Sequence, residues 1–478
     1  MKARFLISIF FLGYSLVNAQ SNTEKLVFVA PPYLQIGSNP SPQSLQLLWH
    51  TSDSTSTWKV EMKASGKKNW EQAGLPSYTT LAIAGVATHF VYRTSLTNLE
   101  SGTTFNYRIL KNGKEVFQSF AQAPRSINQP FRFVAFGDIG AGTIEAKEIA
   151  NGVYRAKPDM LLVPGDIVYD YGLISEYQTK FWPIYNASQV DTVGVPLMRS
   201  VPFVAAVGNH DADSRDLDKN PGALAYYHYW DQPLNGPLGL EGSSLTPLLK
   251  GSDLNKKAFM TGAGNRYPVM ANFSFNYGNS HYTVLDADTY VDWTDKALTD
   301  WVAKDLADAK DAEWRFVVYH HPGFSSAIDH FEQQQMRLLA PVFEKGKVDI
   351  VFNGHVHNYQ RTFPMYFAPD KKGTLLVGGK DNKTIRGRVV NGRWTLDKSF
   401  DGKTNKNPKG VIYLITGAGG QDLYNPEQEN DPDSWQKYTD KFIAHLHSFT
   451  VVDIQGKKLT MQQLSANGNV LDSFEIDK

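Results

Sequence analysis

The 478-residue chain carries 48 basic and 48 acidic side chains, hence no formal net charge, with 42% hydrophobic and 20% charged residues. Such a length exceeds one ordinary core and predicts two or three domains, and the composition excludes a largely disordered chain. Zero net charge excludes a global field that gathers nucleic acid or anionic lipid, and the absence of cysteine excludes disulfides and thiolate metal sites.

Residues 1–19 read as a signal peptide: Lys2 and Arg4 precede an apolar run over 5–17, and Val17-Asn18-Ala19 gives a small-residue exit before Gln20. The run is shorter than the ~20 residues of a spanning helix, so an uncleaved anchor is the weaker reading. An exported protein is expected, periplasmic or secreted from a bacterium. Residues 25–124 hold short alternating apolar segments at 44–49, 57–62, 89–93 and 104–109, with turn residues and no helical period between them. That pattern predicts an all-β sandwich. A polar stretch with two prolines over 121–130 reads as a linker.

The grammar then changes over residues 130–478. A strand-like run at 131–136 ends at Gly137-Asp138-Ile139-Gly140, residues 143–156 have helical spacing, and a run at 160–163 leads into Gly165-Asp166-Ile167-Val168-Tyr169. This β-α-β unit puts Asp138 and Asp166 at one edge of a sheet. The placement recurs. Residues 201–207 precede Gly208-Asn209-His210-Asp211, a helix near 293–308 leads to a strand at 314–319 before His320, and a helix near 332–345 leads to a strand at 349–352 before Gly354-His355-Val356-His357. Residues 233–261, rich in Gly, Pro, Leu and Ser, read as a loop over the site or a surface excursion. Beyond 363, β-patterned segments at 374–377, 386–390, 411–416, 449–454, 459–464 and 470–476 suggest a second sheet packed on the first.

Any one of these motifs occurs in ordinary turns. Together Asp138, Asp166, Tyr169, Asn209, His320, His355 and His357 supply hard oxygen and borderline nitrogen donors that suit two first-row cations. Asp166 is the candidate bridge, since a shared carboxylate holds two cations ~3.5–4 Å apart. His355 and His357, two apart on an extended segment, project to one face. Tyr169 reads equally as a half-buried aromatic or as a phenolate ligand of a high-charge cation such as Fe(III). His210 could meet a phosphoryl oxygen or leaving group with Asp211 orienting it, and His321 either contacts substrate or packs behind the site.

The order Gly-Asp-x-Gly, Gly-Asp-x-x-Tyr, Gly-Asn-His-Asp, Val-x-x-His, Gly-His-x-His, extended by Asn358-Tyr359-Gln360-Arg361-Thr362, resembles that of the purple acid phosphatases, within the wider metallophosphoesterases. Gly417-Ala418-Gly419-Gly420 and Asp472-Ser473-Phe474 are similar to family features as well. Residues 96–107 look like the late turn and aromatic strand of a fibronectin type III domain, which precedes the catalytic domain in many members. The resemblance covers nearly the whole chain after the leader and implies an α/β domain of two packed mixed sheets flanked by helices. It implies that Asp138, Asp166, Tyr169 and His357 bind Fe(III), and that Asp166, Asn209, His320 and His355 bind divalent Fe, Zn or Mn. It also makes His210 and His330 the catalytic, substrate-facing histidines; plant-like members carry two adjacent histidines where this chain has Asp329-His330. The implied reaction is hydrolysis of small-molecule or peptide phosphate monoesters by metal-activated hydroxide at mildly acid pH. A Mn- or Zn-dependent phosphodiesterase or nucleotidase is the alternative, and a non-catalytic adhesion or polyanion-binding protein is the reading from another class. Neither nucleic acid nor a stable membrane anchor is expected, and the sequence carries no reading of oligomeric state.

Overall fold

A computed structural model describes residues 27–239, 242–243, 245–246, 248–370 and 389–478. The expected signal peptide over 1–19, the segment 374–377 and part of 386–390 lie outside the described residues.

Eight strands form the N-terminal sandwich. One sheet holds Ala30–Gln35, Leu45–Thr51, His89–Leu96 and Ser77–Leu81, and the other Glu71–Gln72, Trp58–Ala64, Thr104–Lys111 and Lys114–Gln122. Leu45, Leu47 and Trp49 point into the sandwich core, while Leu48, one step out of phase, packs in the core of the following domain. The strand is therefore buried on both faces, which is why its sequence lacks clean alternation. Ala30, Tyr33, Leu81, Ile83 and Val91 join Leu48 in that shared core. Hydrogen bonds reinforce the seam: Leu34 N donates to Met198 O at 2.8 Å, and Tyr107 Oη to Arg199 O at 2.7 Å.

The second domain is built on two sheets packed face to face. The first runs in the order Phe203–Ala205, Met160–Val163, Phe131–Ala135, Ser448–Gln455, Lys458–Ser465, Val470–Asp477, and its first three strands are parallel. The second runs Phe273–Tyr277, Ser280–Val284, Trp314–Val318, Ile350–Asn353, Ile412–Thr416, Tyr359–Thr362, Thr439–Ile443, parallel from Ser280–Val284 through Ile412–Thr416. Between them Phe133 packs edge-on against Phe316 and Phe352, with ring centroids 5.4 and 5.7 Å apart. Helices Ile144–Ala156 and Lys296–Asp308 cover the outer faces, capped by Thr143 and Asp295, whose side chains accept from Ala146 N and Ala297 N.

Three expectations are corrected. The strands after residue 363 do not build a second sheet by themselves: three complete the first sheet as antiparallel neighbours, Ile412–Thr416 and Thr439–Ile443 complete the second, and Met365–Pro369 pairs with Gly392–Leu396 in a separate two-stranded ribbon. The helix near 332–345 splits into a 3₁₀ turn at Gln335–Leu339 and an α-helix at Ala340–Lys345, because Pro341 lacks an N–H and begins a fresh first turn. Residues 233–261 are no uniform loop, since a helix starts at Asp253 and runs to Ala263. That helix packs on the sandwich, where a Cβ on Gly262 would stand 2.5 Å from Leu81.

Three histidines sit in this seam. His50 Nε2 lies 2.9 Å from Tyr33 Oη, His89 Nε2 lies 2.9 Å from Tyr229 Oη, and His228 packs against Phe259 with ring centroids 5.2 Å apart. Burial lowers the pKa of all three, and Arg266 helps to hold His228 at about 3. An unfolded histidine titrates near ~6.5. Between that value and about 3 the unfolded chain binds more protons than the folded one, so stability falls as pH falls through the window. The thermal midpoint is thus expected to drop on acidification from about pH 6.5 to about pH 4. His228→Phe is expected to flatten that slope in a pH series of melting curves, and an unchanged slope would acquit His228.

Candidate metal centre

Parallel strands of both sheets deliver their carboxyl ends to one edge, and the donors sit just past them. Asp138 follows Phe131–Ala135, Asp166 follows Met160–Val163, Asn209 follows Phe203–Ala205, His320 follows Trp314–Val318 and His355 follows Ile350–Asn353. The chain has to turn at once to keep these side chains at the edge. Asp138, Asp166 and His355 accordingly take left-handed φ of 62°, 51° and 68°, a conformation that costs of order 1–3 kcal/mol per non-glycine residue. The donors themselves hold the turns. Asp138 accepts from His355 N at 3.0 Å and Asp166 from His210 N at 2.9 Å, while Ile139 N donates to Asp166 O at 3.1 Å.

Glycine makes the approach possible, as at Gly354 and Gly208. A Cβ on Gly354 would lie 2.6 Å from Pro164 O and 2.7 Å from Asp138 Oδ2, and one on Gly208 would lie 2.3 Å from Asp166 Oδ1.

Asp138, Asp166 and His320 are buried and bring one donor atom each within 4.8 Å of one another. His357 Nε2 lies 3.4 Å from Asp138 Oδ1, Tyr169 Oη donates to that same oxygen at 3.1 Å, and Asn209 Oδ1 stands 3.0 Å from His320 Nε2. Backbone carbonyls fix the tautomers. His320 Nδ1 meets Pro164 O at 2.8 Å and His357 Nδ1 meets Asp422 O at 2.7 Å. A carbonyl only accepts, so both Nδ1 atoms carry hydrogen and both Nε2 lone pairs face carboxylate oxygens. Such lone-pair crowding fits a bound cation, with the carbonyls orienting the ligating rings.

The electrostatics agree. As side chains alone, Asp166 and His320 are both disfavoured as ions by burial, yet each holds the other charged: Asp166 sits below the usual carboxylate range and His320 above the usual imidazole range. Burial, then the charges of Asp138 and Asp166, pushes the Tyr169 phenol well above its ordinary value. Only strong local positive charge would ionise it.

His355 and the substrate-side histidines stand further out. The His355 ring is 5.0 Å from that of His320, and its Nε2 lies 2.6 Å from Gln333 Oε1. His210 spends Nδ1–H on Asp170 O at 2.9 Å, its Nε2 stands 3.9 Å from Asp166 Oδ2, and its ring packs 4.4 Å from Tyr169. Asp211 does not orient it. That carboxylate instead accepts from Gly208 N and Ile167 N, bracing the motif from behind. His330 is exposed, with its ring 4.1 Å from His355. His321 is buried at 1% exposure, 4.1 Å from His355, which fits packing behind the site better than substrate contact.

Sequence reading missed Gln333, Asp422 and Tyr424. Tyr424 stacks on His357 at 4.1 Å with the planes 17° apart. Its one sequence signal is its place just after Gly417-Ala418-Gly419-Gly420.

Strand ends of two packed sheets and a carboxylate–histidine cluster agree with the comparisons: residues 131–359 match the family model of the calcineurin-like phosphoesterases. Its similarity is to the purple acid phosphatases. Purple acid phosphatase 18 of Arabidopsis thaliana is 25% identical over 325 residues, which cover 66% of this chain and 63% of that protein. Probable inactive purple acid phosphatase 1 of the same plant is 23% identical over 494 residues, covering 94% of this chain and 69% of its own length. The chain thus spans about two thirds of these curated relatives. Among solved structures, the purple acid phosphatase PPD1 from yellow lupin (Lupinus luteus) seeds superposes with a TM-score of 0.63 at 18% identity, over 93% of this chain and 74% of that one. PhoD follows with a TM-score of 0.53 at 10% identity, over 94% and 93%. The fold implies a metal centre. Among the described residues no helix is long and apolar enough to cross a membrane.

Gly354→Ala pushes a methyl into Pro164 O and Asp138. It is expected to cost about 1–3 kcal/mol of stability and to lower bound metal measured by elemental analysis of the purified protein. Full metal content at unchanged stability would show that the crowding is relieved elsewhere.

Proposed function

We propose that this chain hydrolyses phosphate monoesters at a dinuclear centre of Fe(III) and a divalent Fe, Zn or Mn, with an acid optimum. The observation that carries the reading is the meeting of a phenol with a carboxylate and an imidazole: Tyr169 Oη lies 3.1 Å from Asp138 Oδ1 and 3.3 Å from His357 Nε2. A phenol buried among hard donors suits a cation of high charge. Asp138, Asp166, Tyr169 and His357 would hold Fe(III). Asp166, Asn209, His320 and His355 would hold the divalent ion, with His355 turning from Gln333 to do so. Some relatives are named probable inactive, and the completeness of this donor set supports an active enzyme here.

When bound, the two ions activate a water and neutralise the phosphoryl oxygens. The chain's own residues do the rest. His210, with Nε2 3.9 Å from Asp166 Oδ2 and its side chain 33% exposed, would when protonated donate to a phosphoryl oxygen or to the leaving oxygen. His330, exposed beside His355, is the second donor to the leaving group. In the reaction the ester P–O bond breaks, water supplies the new oxygen, and the proton water gives up ends on the departing alcohol. The basic, apolar and small-residue pattern of residues 1–20 supports an exported enzyme.

Metal-replete, air-oxidised protein is expected to show a visible phenolate-to-Fe(III) band that Tyr169→Phe abolishes; a colourless protein with full metal occupancy would instead favour the Mn- or Zn-dependent diesterase or nucleotidase. Asp166→Asn is expected to lower kcat/KM for p-nitrophenyl phosphate by about 10³-fold or more with the fold retained by circular dichroism. Activity within tenfold of the parent would remove Asp166 from the bridge.

A further inference from the structure

Beside the donor cluster lies a cavity of about 680 Å³ between the loop 326–333 and residues 428–436. Two of its lining residues touch the centre: the His330 ring is 4.1 Å from that of His355, and Gln333 Oε1 is 2.6 Å from His355 Nε2. An ester phosphate held at the centre would project its alcohol part here. The volume falls within the range of small-molecule sites.

The lining carries no lysine or arginine; Ser326, Gln333, Gln428, Ser434 and Gln436 give it hydroxyl and amide character, and Phe331 adds an aromatic face. Its one acid is Glu332, and exposed Asp329 stands next to His330 in the same loop. A leaving group that bears several negative charges would find no counter-charge here and two carboxylates close by. Amides and hydroxyls instead pair with hydroxyl groups, which both donate and accept.

The far wall is also fixed in advance. Gln428 Nε2 donates to Ser326 O at 3.0 Å while its Oε1 accepts from Ile328 N at 3.0 Å. Gln436 N donates to Ser326 Oγ at 2.7 Å, and Ser434 Oγ donates to Asp431 O at 2.7 Å. A wall tied on both sides selects by shape and charge, since it does not rearrange to suit a poor ligand.

Resting on the phosphatase reading above, we infer that this cavity is the leaving-group site and that it takes neutral, hydroxyl-rich alcohols, so that the substrates are polyol or sugar monophosphates and not polyanionic esters such as phytate or nucleoside triphosphates. The chemistry is unchanged: the P–O ester bond breaks, and the polyol departs as the neutral alcohol into the cavity.

The test pairs kinetics with binding on the full, metal-replete chain. Sorbitol phosphate, phytate, ATP and phosphocholine are compared with p-nitrophenyl phosphate as reference, and saturation-transfer NMR of sorbitol phosphate is recorded on Asp166→Asn. Sorbitol phosphate is expected to exceed phytate and ATP in kcat/KM by about tenfold or more, with saturation reaching its carbon-bound protons. Glu332→Lys is expected to narrow the margin by about threefold through a higher kcat/KM for ATP. Equal or greater kcat/KM for phytate or ATP overturns the cavity assignment and leaves the phosphatase reading standing, and phosphocholine ahead of sorbitol phosphate overturns it in favour of a cationic alcohol. If no ester is hydrolysed, p-nitrophenyl phosphate included, the phosphatase reading falls. Saturation transfer then decides the cavity alone, its absence overturning that as well.

Discussion

Two buried carboxylates facing imidazole nitrogens whose lone pairs are already aimed at them cannot stay uncompensated. Asp138 and Asp166 are 0% and 1% exposed, and Nε2 of His357 and of His320 stand 3.4 and 3.2 Å from them. Desolvation on this scale is tolerated only where positive charge is supplied, by protons or by metal. The remainder of the local structure follows from holding that arrangement. Left-handed turns at Asp138, Asp166 and His355 are stabilised by hydrogen bonds to the same carboxylates, so the strain and the ligands are not separable features.

The two-sheet scaffold makes such a concentration affordable. Donors arrive from five strand ends, and each strand is anchored in a core where Phe133 locks against Phe316 and Phe352. Interior side chains packed at this density move little, so the donors are placed by the core and not by loop chance. The sandwich shares that rigidity, because Leu48, Leu81 and Val91 belong to the same apolar cluster as Ile149 and Tyr229. It is a buttress of the second domain and no tethered appendage.

Much of this was legible in the sequence. Short apolar runs ending in Gly-Asp, Gly-Asn-His or Gly-His signal parallel strands with functional carboxyl ends, and the structure brings Asp138, Asp166, Tyr169, Asn209, His320 and His357 together as that grammar implies. What escaped was non-local. Strand Ser448–Gln455 reads as any alternating strand, and nothing within it says that it pairs antiparallel with Phe131–Ala135 some three hundred residues earlier. Gln333 and Tyr424 carry no motif, and their roles come from contacts with His355 and His357 that only tertiary structure creates. Asp211 looked like an orienting acid because it neighbours His210, but the tight turn aims it at backbone amides instead.

The crowding at Gly208, Gly354 and Gly417 bears on how a centre like this decays when a lineage no longer uses it. A Cβ at each glycine would meet a backbone atom first, Asp166 N at Gly208, Pro164 O at Gly354 and Val356 O at Gly417, and a ligand carboxylate just behind it. Loss of those acids alone does not lift the steric veto, because the backbone atoms remain and any side chain at these glycines still has to displace them. Abandonment therefore marks the ligands first and leaves the glycines in place, held by the backbone that packs on them. Glycines at such places report the fold, and the donors beside them report the chemistry; in this chain both are present.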